Sequence, residues 1–324
     1  MNKKAFRIAF PLLITLTILI ALLSLLIGSA DINPVHAILN KDSTDHIILF
    51  SVRLPRMLAA MLAGLALSVS GLLLQSATGN DLASPNIIGM NSGSGFAVLL
   101  FLSFFPELFD VLPFAAFIGG LVASSLVFII SASVSRMNSS GSLILGGIAV
   151  NALFNAFIST LSSLDPDILS TYSAFSIGGF SSVQASMLYV PGIIIIASSV
   201  AAFFMTERMD VIRLGDEIAS SMGYRPLSIR VSLVAIAALA SSSAVTFAGL
   251  LGFVGLVTPH IARFISGGES RKTLLLTVVI GPLLVMLSDL LARTVIMPGE
   301  LPAGVFMAII GVPFFLFLLI RRVR

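Results

Sequence analysis

The 324-residue chain has no cysteine, and charged residues make up only 10% of it. Disulfides are therefore excluded, and cysteine usage says nothing of the redox compartment. His36, His46 and His260 stand far apart, and no Cys/His/Asp cluster has metal-ligand spacing. A G-x-x-x-x-G-K-S/T loop is missing, so the chain does not bind ATP in the phosphate-loop manner. The net charge of +3 is spread over loops, which argues against a nucleic-acid partner. No catalytic residue, metal ligand or cofactor is assigned.

What is present is apolar length. Hydrophobic residues form 57% of the chain. They recur in runs long enough to cross a hydrocarbon core of about 30 Å. Spanning segments must satisfy their own backbone hydrogen bonds, and runs without period-2 alternation select helices over a barrel. The expected fold is an all-α integral membrane protein, one transmembrane domain over residues 1–324. The run from Ile8 to Ile27 exceeds the apolar core of a cleavable signal and reads as a retained first helix.

Hydropathy and helix breakers predict about ten spans, at 8–28, 57–76, 88–105, 113–135, 143–161, 188–205, 229–248, 251–266, 272–295 and 302–320. Ten spans put both termini on one side. With that side cytoplasmic, fourteen of the 18 basic residues lie inside, and only Lys41, Arg53, Arg56 and Arg293 lie outside. This asymmetry sets the expected orientation. The span at 251–266 is the least regular. Gly249, Gly252 and Gly255 give it one smooth face for close helix approach, and Pro259 can kink or shorten it.

Three segments are too polar to span. Residues 29–56 and 162–187 fall outside, the second reading as a short helix that dips to the membrane edge and returns near Gly178 and Gly179. Residues 206–228 fall inside and carry Glu207, Arg208, Asp210, Arg213, Asp216, Glu217 and Arg225. Asp289 is the only acid placed within a span. Ion-driven carriers usually need more intramembrane ionisable groups, or visibly broken helices at the midplane. A membrane protease built from "GMNSGSG" and His260 is disfavoured against plain helix packing by small residues. The chain reads as a path without an energy source of its own.

Six ordered stretches then become specific: "RLPRMLAAMLAGLALSVSGLLLQ", "GNDLASPNIIGMNSGSG", "LGDEIASSMG", "AGLLGFVGLVTPHIARF", "SDLLAR" and "GELPAGVFMAIIGVPFFLFLL". From Arg53 to the C-terminus the chain resembles the FecCD-type permease subunits of ABC importers for iron-siderophore complexes, haem and cobalamin. Asp81 departs from the Asn-Pro-Leu-Ala pattern usual there and should loosen that turn or cap the next segment differently. Met222 replaces a common Leu at similar volume.

The resemblance implies the type II importer permease fold in a bacterial inner or plasma membrane. It implies a second permease copy or paralogue, a cytoplasmic ATPase dimer and an extracytoplasmic substrate-binding protein as partners, besides membrane lipid. Ferric siderophore is the expected cargo, with haem or cobalamin as the alternative and a stand-alone ion-coupled carrier as the rival of another class.

The resemblance also assigns roles. Leu214, Gly215, Asp216, Glu217, Ile218, Ala219, Met222 and Gly223 would belong to the coupling helices, residues 214–226, that sit in a cleft of the ATPase. The residues agree: Leu214, Ile218 and Met222 recur at i, i+4, i+8, acids sit in the first turn, and Gly223 can end the helix before Pro226. The competing reading is a solvated loop. Arg53, Arg56 and Arg293 would receive glutamates of the binding protein, since a guanidinium fork grips a carboxylate bidentately. Lipid-phosphate anchoring competes, as does a local Arg293–Asp289 pair at i, i+4. Gln75, Asn151 and Asn155 are the polar candidates for the pathway, with helix-to-helix hydrogen bonding as the equal alternative.

Overall fold

The computed structural model describes residues 3–28, 30–105, 107–108, 111–133, 139–164 and 166–323, and it contains no strand among them. The first helices are α1 (Lys3–Leu26), α2 (Pro34–Leu39), α3 (Thr44–Ile47), α4 (Leu54–Thr78) and α5 (Met90–Phe104). Next come α6 (Leu112–Ser133), α7 (Ser139–Leu164), α8 (Pro166–Ile177), α9 (Tyr189–Phe204) and α10 (Thr206–Arg213). The last are α11 (Asp216–Ser221), α12 (Pro226–Ala248), α13 (Val254–Ser266), α14 (Ser270–Ala292) and α15 (Ala303–Val323). A helix stands at each of the ten expected spans. Arg136 and Arg324 of the charge asymmetry lie outside the described residues.

Among the described residues, seven helical stretches are long and apolar enough to cross a membrane. The exception that matters is α13, with 13 residues. At 1.5 Å per residue it is about 20 Å long, short of a core of about 30 Å. The span expected over 251–266 is thus corrected: helix starts only at Val254, and residues 250–253 are irregular. Irregular backbone is tolerated at that depth only where protein covers it. Here the Leu250 amide donates to the Phe175 carbonyl at 3.1 Å, and the Gly179 amide to the Ala248 carbonyl at 3.0 Å. Phe253 takes a left-handed φ of 65° to start α13. Pro259 is absorbed inside the helix, and His260 meets the Phe314 ring edge-on.

The centre of the molecule is α4, buried over most of its length and packed against α12, α13, α14 and α9. Its small residues explain why. Without a hydrophobic drive between helices in lipid, association relies on close backbone approach and interhelical hydrogen bonds. Gly64 faces Gly281 of α14, and Gly71 faces Gly255 of α13, where an added Cβ on Gly255 would stand 2.7 Å from the Leu67 carbonyl oxygen. Ser70 Oγ donates to the Ala237 carbonyl of α12 at 2.8 Å. Peripheral α1 is the opposite case, with Ile8, Leu12 and Leu22 exposed along an apolar surface.

Candidate functional site

The polar segment at 206–228 holds two short helices, α10 and α11, before α12 begins. Gly215 takes φ 103°, a conformation open to glycine and strained for other residues, and breaks the helix between Leu214 and Asp216. A single short helix running from Leu214 through Met222 is therefore corrected: Leu214 caps the end of α10, and α11 has 6 residues. Asp216 and Glu217 do occupy its first turn, and Gly223 is left-handed at φ 85°. The apolar trio survives the break. Leu214 is 56% exposed, Ile218 49% and Met222 54%, while Ala219 is the residue of α11 that turns inward.

This segment is fastened to the bundle by charged groups. Asp210 accepts from the Ser270 amide at 3.1 Å, so a carboxylate caps the start of α14. Arg213 Nη1 donates to the Gly268 carbonyl at 3.0 Å. Arg230, buried in the first turns of α12, donates to Asp216 Oδ1 at 2.7 Å and to the Ala77 carbonyl. A cleft of about 700 Å³ opens beside it, lined by Gln75, Asp81, Arg213, Asp216, Glu217 and Arg230. Asp81 is held at its turn by a charge partner. It pairs with Arg263 of α13, while Asn80 Oδ1 accepts from the Leu82 amide at 3.0 Å.

At the other end of α4 the three arginines turn inward. Arg53 is 4% exposed, Arg56 7% and Arg293 3%. Presentation of these side chains to an outside partner is thereby corrected, because each is buried and hydrogen-bonds within the chain. Arg53 Nη1 donates to the Leu25 and Leu26 carbonyls at 2.9 and 2.6 Å, and Nη2 to the Ala30 carbonyl. It satisfies carbonyls that the end of α1 leaves without helical partners. Arg56 grips fully buried Asp289, with Nε at 3.0 Å and Nη2 at 2.9 Å from Oδ1, and Nη1 reaches Glu300 at 2.7 Å. Arg293 Nη2 donates to the Ser24 carbonyl at 2.6 Å, and Arg293 Nε lies 3.7 Å from Asp289. The Arg56–Asp289–Glu300 cluster was not read from the sequence. Its available signal was Asp289, since a lone acid within a span needs a basic partner.

The three pathway candidates separate. Gln75 is buried, donates to the Gly255 carbonyl at 3.2 Å and accepts from Arg263 at 2.6 Å, so it joins helices at the edge of the cleft beside Arg230. Asn155 is exposed on α7 and donates to Asn151 at 3.2 Å, on a face this chain does not cover.

Comparisons with known proteins agree on one family. The model of the FecCD transport family matches residues 16–321. The Fe(3+)-citrate import system permease protein YfmE of Bacillus subtilis is 33% identical, over 98% of this chain and 96% of its own. The hemin transport system permease protein HmuU of Yersinia pestis is 31% identical, over 94% of each. A solved structure of a metal-chelate type ABC transporter in an inward-facing conformation superposes with a TM-score of 0.85 at 27% identity, covering 97% of this chain and 99% of that one.

Proposed function

Since the chain belongs to the FecCD transport family, we infer that it carries a metal chelate across a membrane and makes or breaks no bond in doing so. It is the transmembrane permease subunit of an ATP-driven importer. Its cargo on this reading is a ferric siderophore, supported by the similarity to an iron-citrate permease; haem is the second cargo class, supported by similarity to a hemin permease.

One observation carries the assignment of the working end. Leu214, Ile218 and Met222 are exposed on a segment otherwise polar and fastened to α14 and α12. Exposed apolar groups on an anchored element are an interface waiting for a partner. The partner proposed is the ATPase of the importer, one copy per permease, with both termini on its side of the membrane. Asn151 and Asn155 then face a second permease copy across the translocation path. A substrate-binding protein docks at the opposite end, on exposed residues around α2, α3 and 295–299, above arginines that hold this rim together.

Leu214→Glu and Ile218→Glu test the reading. Both side chains are exposed, so insertion and thermal stability should be unchanged. Affinity for the ATPase should fall about tenfold or more, as when a central interface anchor is lost, and uptake should stop. Wild-type affinity and uptake in both variants would reduce the segment to a connecting loop. The permease purified free of ATPase should hydrolyse no ATP, and measurable turnover in that preparation would overturn the subunit assignment.

A further inference from the structure

We propose that Arg230 is the positioning residue that passes movement of α11 to the end of α4, and through it to α13. The proposal rests on the importer reading above. The two halves of the coupling segment are held differently. Helix α10 is bolted to the start of α14 through Asp210 and Arg213. Helix α11 hangs between Gly215 and Gly223, both at positive φ, and nothing lies within 4 Å of where a Cβ would stand on either. With Ala219 alone buried, α11 can tilt about these two glycines.

Arg230 ties this movable helix to the bundle. One guanidinium donates to Asp216 in the first turn of α11 at 2.7 Å and to the carbonyl of Ala77 in the last turn of α4. Last-turn carbonyls have no helical partner and lie at the negative end of the helix dipole, so they favour a cation. The planar fork fixes both acceptors in one geometry, which a lysine ammonium on a flexible stem does not. The same stretch of α4 carries Gln75, bonded to Gly255 and Arg263 of α13. A push on α11 therefore arrives at the short helix α13 by way of Arg230 and α4.

The test uses the complete importer in liposomes, permease with ATPase and binding protein, and the variants Arg230→Lys and Arg230→Gln. Three quantities are read: affinity for the ATPase, thermal midpoint, and cargo taken up per ATP hydrolysed. Cargo per ATP should fall about tenfold, the size of a typical coupling between sites, and by more than any accompanying change in affinity or midpoint accounts for. An unchanged ratio overturns the proposal. So does a ratio that falls only in step with affinity or midpoint, the mark of a merely structural role.

A second measurement needs no change at Arg230. The chain has no cysteine, so Ser220→Cys and Asn80→Cys admit one spin-label pair. ATP binding should move both labels as one body, and a changed distance between them in the otherwise wild-type complex overturns the proposal. Wild-type assembly and uptake, read first in the same vesicles, test the importer reading separately.

Discussion

Asp289→Ala will destabilise the permease by about 3–5 kcal/mol, the cost of removing one partner from a buried ion pair. The carboxylate is fully buried and receives three contacts within 3.1 Å from Arg56. Its loss leaves Arg56 with only the exposed Glu300, and Arg293 without its nearby counter-charge. The double variant Arg56→Met/Asp289→Leu should recover much of the loss, because apolar residues of similar volume often replace a buried pair at little net cost. The measurement is the thermal midpoint of detergent-purified protein, with uptake in vesicles beside it. A single variant as stable as wild type would show that the cluster does not clamp the fold.

Gly71→Val should yield no folded permease. The Gly71 α-carbon lies against the Gly255 backbone, and an added Cβ would overlap the Gly255 carbonyl oxygen. Neither helix backbone can yield, since α4 is packed on several sides. Overpacking typically costs about 1–3 kcal/mol, and occasionally more, when side chains can adjust. Here the obstacle is backbone. Gly192→Ala is the control, because its Cβ would meet only Leu62 Cδ1 at 3.5 Å. Recovery of monodisperse protein should separate the two variants completely. Equal recovery would mean that the α4–α13 crossing is looser than described.

Helix number and class were legible because bilayer physics writes them in apolar length, and every expected span has its helix. The boundaries that failed were set by backbone and not by hydropathy. Residues 249–253 are as apolar as their neighbours, so no hydropathy window reveals that α13 starts late. Gly215 interrupts a perfect i, i+4, i+8 stripe, and periodicity cannot see a φ of 103°. The arginines failed for a different reason. Charge counts place Arg53, Arg56 and Arg293 at one end but do not say which way they point, and their partners lie as far as 269 residues away. Asp81 was noticed as a departure, yet its partner Arg263 belongs to a helix 182 residues on.

That central helix also dictates how the chain must be made. Ser70 of α4 waits for the carbonyl of Ala237, 167 residues later. At roughly 5–20 residues per second, synthesis of the intervening chain takes on the order of 8–30 s. Throughout that interval α4 sits in the membrane with its glycine and serine face uncovered, because α12, α13 and α14 are still unmade. The first half of the protein is therefore a client of whatever holds nascent helices at the insertion site. A chain terminated after α9 should be found by quality-control proteases, whereas one shortened within α15 should reach the membrane with its core already closed.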